Sequence, residues 1–177
     1  MRLFSLCILI ASLLSISGCG YHFPGDGAAM PGGISKVRIE LFENKTAEPY
    51  LSTCITEAVT YRLMRMHDVS LVESIDNAEA VLSGFVKNYR IKAASYGVAD
   101  NIKSYRVAMT IDATLRQVAD GRILWQGEVS HDFDFVSSTA SLTEQEGLER
   151  ETQQQLCRRL AEDLSWQMTE NFGEDMP

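Results

Sequence analysis

"SYRVAMTIDATLRQV", residues 104–118, is a strand that declares both of its faces. Tyr105, Val107, Met109, Ile111, Ala113 and Leu115 alternate with Arg106, Thr110, Asp112, Thr114 and Arg116. Apolar and polar residues in period two are the mark of a half-buried strand. "ADGR", 119–122, follows as a hairpin turn of the Asp-Gly kind. "ILWQGEVSHDFDF", 123–135, then returns. Ile123, Trp125, Val129, His131, Phe133 and Phe135 lie on one face, with Gln126, Glu128, Ser130, Asp132 and Asp134 on the other. The hairpin therefore has one apolar side and one wet side. His131 falls on the apolar side as a core or edge histidine. In a strand it points away from Ser130 and Asp132, so "SHDFD" makes no triad from neighbours.

Downstream, residues 141–172 read as one long helix. Leu148, Leu156, Leu160, Leu164 and Met168 form its apolar stripe, with Thr152 and Cys157 at the edge. Thr143 with Glu146 makes a capping box. Upstream, "KVRIELF", 36–42, alternates Val37, Ile39 and Leu41 with Lys36, Arg38 and Glu40, a half-buried strand. "LSTCITEAVTYRLMRM" sets Leu51, Ile55, Ala58, Val59, Leu63 and Met66 on one helical face, with Pro49 suited to its first turn. "VSLVE", 69–73, is a short strand. Residues 76–91 read as another, with imperfect alternation and with Gly84 marking a bulge. The expected fold is α+β and two-layer. Two amphipathic helices pack on one face of a mixed, mainly antiparallel sheet of about four strands.

The chain has 177 residues and a net charge of −8, which disfavours a general nucleic-acid binder. Cys7, Cys19, Cys54 and Cys157 form no CxxC pair, and His22, His67 and His131 are far apart. No zinc spacing results, and no metal or cofactor is expected. No GxSxG, HExxH or phosphate loop occurs, so no enzyme is expected. The G-x-G at 25–27 lies in a Gly/Pro-rich stretch with no strand before it.

"MRLFSLCILIASLLSISG" opens with Arg2 and continues as an apolar run without Asp, Glu or Lys. The run is too short to span a bilayer and fits the core of a secretory signal peptide. Ile16, Ser17 and Gly18 before Cys19 resemble the lipobox of bacterial lipoproteins. That resemblance implies a signal peptide over 1–18 and an N-acyl, S-diacylglycerol lipid on Cys19, labelled by palmitate. Stable membrane anchoring takes more than one acyl chain. Gly20 stands where Asp would retain such a protein at the inner membrane, which points to the outer membrane. Residues 19–35 are then the lipidated terminus and a tether, 36–172 the folded domain and 173–177 a tail. Cys54 and Cys157 would meet an oxidising compartment, where they can pair.

With Cys19 at the mature terminus, "CGYHF", "VRIELFENKTAEP", "AEAVLSGFV", "SYRVAMTIDATL" and "ILWQGE" resemble in order the LPS-assembly lipoprotein LptE family. The resemblance implies a Gram-negative outer-membrane lipoprotein that sits inside an LptD-like β-barrel. It would help that barrel assemble and assist delivery of lipopolysaccharide to the cell surface. Another envelope lipoprotein, a scaffold or pilot for a different complex, shares the signal and the soluble domain.

Between 87 and 106 the chain carries Lys87, Arg90, Lys92, Lys103 and Arg106 against one acid, Asp100. Lys and Arg here can pair with lipid A phosphate, or can simply keep a loop soluble. Lys103 and Arg106 are the first candidates for binding lipopolysaccharide, with Arg90 and Lys92 next. The chain departs from the family pattern in two places. Val98 or Ala99 stands where a loop arginine is expected, and nothing basic lies between 136 and 149.

Overall fold

The computed structural model describes residues 30–97, 102–137 and 141–170. The segment 1–29, with the expected signal peptide and Cys19, lies outside the described residues, as do Val98, Ala99, Asp100 and the expected tail. The elements run β1 (Lys36–Ile39), β2 (Glu43–Asn44), α1 (Leu51–Met64), β3 (Ser70–Leu71), β4 (Ala80–Tyr96), β5 (Ile102–Gln117), β6 (Ile123–Val136) and α2 (Leu142–Glu170). Among the described residues the sheet has six strands, in the order β3-β1-β4-β5-β6 with β2 beside β4. The expectation of about four strands is corrected here. β2 and β3 are two residues each, too short to leave a period in the sequence. The mainly antiparallel reading is corrected as well. β1 pairs parallel with β3 and β4, and β2 pairs parallel with β4, while only β4–β5 and β5–β6 are antiparallel.

The two helices cover one sheet face. Val107, Met109, Ile111, Ala113 and Leu115 are buried beneath them, as the alternation requires. Leu51, Ile55, Val59 and Leu63 supply the buried stripe of α1. Leu156, Leu160, Leu164 and Met168 supply that of α2. Each such side chain, removed from water, contributes about 1.5–3 kcal/mol before the entropy of ordering is charged against it. α1 and α2 lie side by side and run the same way. Cys54 bonds Cys157, and Arg62 Nε donates to Ser165 Oγ at 2.8 Å, both with a separation of 103 residues. The pairing of the two cysteines, left open by the sequence, is thus a disulfide that staples helix to helix.

Several boundaries moved for local reasons. β1 stops at Ile39; Leu41 is 66% exposed and Phe42 takes the core position. The ring of Phe42 fills the space above Gly84, where a Cβ would stand 2.4 Å from the ring and 2.5 Å from the Asp112 carbonyl. Gly84 therefore makes room for a ring; the bulge falls at Lys87 instead. Pro49 precedes α1 by two residues, and Tyr50 between them adopts a left-handed φ of 65°. α2 is capped by Ser141, whose Oγ accepts from the Glu144 N–H at 3.1 Å, and not by Thr143. The hairpin loop has Gly121 in the left-handed region, φ 72°, and Gln117 N–H donates to the Arg122 carbonyl across it.

Met30 and Ile34 belong to the core, although their Gly/Pro-rich surroundings read as tether. Glu79 fastens the entry to β1: its Oε2 accepts from the N–H groups of Ser35 at 2.8 Å and Lys36 at 3.1 Å. Those donors, Ser35 first, hold its carboxyl below the usual range. No helix among the described residues is long and apolar enough to cross a membrane.

Candidate functional site

The sheet face opposite the helices is polar over most of its length. Its character changes along β4 because of the bulge. Val86 lies opposite Ile111, yet Asn88 lies opposite Thr110, so Lys87 is an inserted residue. The bulge takes up the extra residue, so from Asn88 to Lys92 the even-numbered residues, which face inward up to Val86, face outward. Tyr89 and Ile91 turn to the core side, where they pack against it. Asn88, Arg90 and Lys92 turn to the open face.

Three rows then cross the sheet. Lys92 stands opposite Arg106, and Arg106 opposite Asp134. Arg90 stands opposite Ala108, and Ala108 opposite Asp132. Asn88, Thr110 and Ser130 make the third. The small side chains Ala108, Thr110 and Ser130 form the floor of a basin of about 480 Å³, with Arg90, Lys92 and Arg106 around it. Thr110 Oγ1 and Ser130 Oγ lie 3.1 Å apart in that floor.

The four candidate cations are thereby divided. Arg90, Lys92 and Arg106 line the basin. Lys103 does not: it is the unpaired residue where the partner of β4 steps from Ser104 to Ile102. Its carbonyl accepts from the Ser137 N–H at 2.9 Å.

The basin cations differ in how they are held. Arg106 offers its fork to Asp134, Nε to Oδ1 at 2.7 Å and Nη2 to Oδ2 at 2.8 Å, with Asp132 at 3.5 Å from Nε. These hydrogen bonds hold the Asp134 carboxyl below its ordinary range and push the guanidinium still higher. Arg90 Nε donates to Asn88 Oδ1 at 3.2 Å. Among the described residues Lys92 makes no ion pair and no hydrogen bond through its side chain. Lys87, next to the basin, is engaged by Glu128 and by Asp112 at 3.6 Å. The face therefore carries a basic column on β4 and an acidic column, Glu128, Asp132 and Asp134, on the edge strand β6.

Sequence reading placed Asp132 and Asp134 on the wet face but assigned them no part in the site. The signal was the register of the hairpin, which brings Asp134 across from Arg106. His131 sits on the other face, half-buried, with Nδ1 3.4 Å from Asp163 Oδ2 on α2. Ser130 and Asp132 are on the open face, so the three never converge. No group of His, Cys, Asp and Glu among the described residues is arranged to hold a metal.

A larger groove of about 820 Å³ runs along the outer side of the helix pair, over the disulfide. Glu57 lines it together with Arg150 and Arg158, so charge of one sign does not gather there. The smaller basin is the better candidate because its charged lining is entirely cationic.

A model of the LptE family, described as lipopolysaccharide-assembly, matches residues 34–169. Among solved structures the fold is similar to a lipoprotein of Caulobacter crescentus CB15, at 13% identity and a TM-score of 0.53, covering 76% of this chain and 92% of that one. It is similar to the protein CT253 of Chlamydia trachomatis, at 11% identity and a TM-score of 0.52, covering 76% and 95%. It is also similar to lipoprotein B of Nitrosomonas europaea, at 12% identity and a TM-score of 0.50, covering 88% and 97%. At such identities these likenesses speak for the fold alone. No curated protein matches the chain.

Proposed function

The chain belongs to the LptE lipopolysaccharide-assembly family, and from that membership we propose that it is an outer-membrane lipoprotein that plugs and helps assemble an LptD-like β-barrel and assists lipopolysaccharide delivery to the cell surface. The observation that carries the cargo half of this reading is the basin. Three cations converge over a floor of small side chains, on a sheet face that no other element covers among the described residues. Lipid A phosphates are the anions it suits. Arg supplies a planar fork and Lys a point charge, and each charge-assisted hydrogen bond is worth about 1.5–3 kcal/mol.

The plug half rests on surface chemistry. The interior of a large outer-membrane barrel is polar. A domain that buries its core beneath its own helices, and whose remaining sheet face is charged, suits such a lumen. The lipid on Cys19 would hold the domain at the membrane and raise its effective concentration beside the barrel. Intact-mass analysis of the purified native protein should then find a chain that begins at Cys19 with acyl mass attached. A chain beginning at Met1 without it would remove the anchor from the reading.

One experiment separates the two halves. A tagged chain, solubilised from outer membranes in detergent, should bring down an LptD-like barrel. Arg90→Glu with Lys92→Glu should weaken lipopolysaccharide binding by about tenfold or more while the barrel still co-purifies. Lys103→Glu, outside the basin, should change that affinity little. If no barrel comes down, the plug reading fails. If affinity is the same after charge reversal, the cargo reading fails.

A further inference from the structure

We propose that Asp134, seconded by Asp132, is a built-in stand-in for the ligand's phosphate, a latch that the anionic headgroup of a lipid must displace from Arg106. This rests on the cargo reading of the basin given above. Charges of one sign are crowded at this point of the sheet. Lys92 and Arg106 are directly opposite each other on β4 and β5. Like charges in that position repel. Asp134, directly opposite Arg106 on β6, relieves the conflict by taking the guanidinium in a two-point clamp at 2.7 and 2.8 Å.

That clamp uses the same geometry a phosphate needs. A guanidinium offers parallel N–H groups, and either a carboxylate or a phosphate accepts them in a plane. In the resting protein the Nε edge of Arg106 is already satisfied from within. Asp132 at 3.5 Å supports it from the neighbouring row. Lys92 and Arg90 are engaged by no carboxylate among the described residues. A phosphorylated headgroup would meet these two first, and would reach Arg106 only by exchange with Asp134. Exchange sets the affinity below that of three bare cations. That suits a protein that must let its cargo go, because the guanidinium returns to its own carboxylate as the headgroup leaves.

Asp134 acts through Arg106, so it is a positioning residue, and a role confined to stability predicts the opposite sign. Binding is measured with the full chain in detergent. The probes are lipopolysaccharide, the same glycolipid with its lipid A phosphates removed, and inorganic phosphate. Asp134→Asn keeps the shape and removes the charge. It should tighten lipopolysaccharide binding by about three- to tenfold and steepen its salt dependence, even as the domain becomes slightly less stable. The gain should vanish in Asp134→Asn with Arg106→Gln, and for the dephosphorylated glycolipid. Glu73→Gln, the same charge change beyond β3 on the far side of the sheet, should give no gain.

Unchanged or weaker binding by Asp134→Asn, with Arg90→Glu and Lys92→Glu still weakening it, overturns the latch and leaves the cargo reading in place. A gain for inorganic phosphate without one for lipopolysaccharide overturns the lipid headgroup as occupant. Loss of sensitivity to all of these substitutions overturns the cargo reading, and the latch falls with it.

Discussion

Cys54→Ala with Cys157→Ala is expected to lower the free energy of unfolding by about 4–5 kcal/mol relative to the oxidised protein. The figure comes from the chain between the two sulfurs. They are 103 residues apart, and the loop runs from within α1 through β3, β4, β5 and β6 to the middle of α2. Closing so long a loop in the unfolded chain removes much of its freedom, and that loss is what the bridge contributes in the chain-entropy account. The folded state should survive the change, because Ile55, Val59, Leu156 and Leu160 still bury the contact between the helices and the sheet. For a domain of this size the loss corresponds to a fall in Tm of about 10–15 °C. Urea unfolding of the oxidised wild type against the double variant measures it directly. A difference under about 1 kcal/mol would mean that the helices are held by their packing and that the bridge contributes little.

The second large effect is expected at Gly84. Gly84→Val should destabilise the domain by about 3 kcal/mol. The added side chain has nowhere to go. Its first carbon would meet the Phe42 ring on one side and the Asp112 backbone carbonyl on the other, both within 2.5 Å. The ring can turn only at the expense of a residue that is wholly buried. The carbonyl belongs to β5 and cannot retreat without opening the β4–β5 ladder. Trimming the ring as well, Phe42→Ala with Gly84→Val, should therefore fail to restore stability. Denaturant midpoints at equal slope test this. A loss below about 1 kcal/mol for the single variant would mean that the strands yield more easily than their register suggests.

The strongest elements were legible in the sequence because their periods were long and clean. β5 and β6 alternate for more than ten residues, and α2 keeps its stripe for more than five turns. β2 and β3 were lost in the count for the opposite reason. Two residues show no period, and a parallel pairing leaves no turn to read. Leu41 misled because alternation continues one step past the end of β1, whereas the chain turns there to bring Phe42 inward. The cations of the basin were all visible, but their grouping was not. Arg90 and Lys92 look outward because the ladder bulges at Lys87 rather than pairing it, and a bulge shows in a sequence as broken alternation, which is what β4 displays. The Arg106–Asp134 pair was closer to hand. Both strands of the hairpin put odd-numbered residues inward, so paired positions must sum to an even number. The four-residue loop from Val118 to Gly121 gives an odd one. A bulge was required, and it falls at Leu124, between the pairs Leu115–Trp125 and Arg116–Ile123.

The inserted residue in β4 makes the identity of the site a matter of counting. Were the ladder to run on through Lys87 without the bulge, the same letters, in the same order, would present tyrosine and isoleucine to the water and drive two positive charges under the helices. No change of composition is needed for such an inversion. Among proteins built this way, the surface that meets an anion is fixed by where the ladder takes up one extra residue, and moving that bulge beyond the cations would erase the site more completely than substitution of any single lysine or arginine.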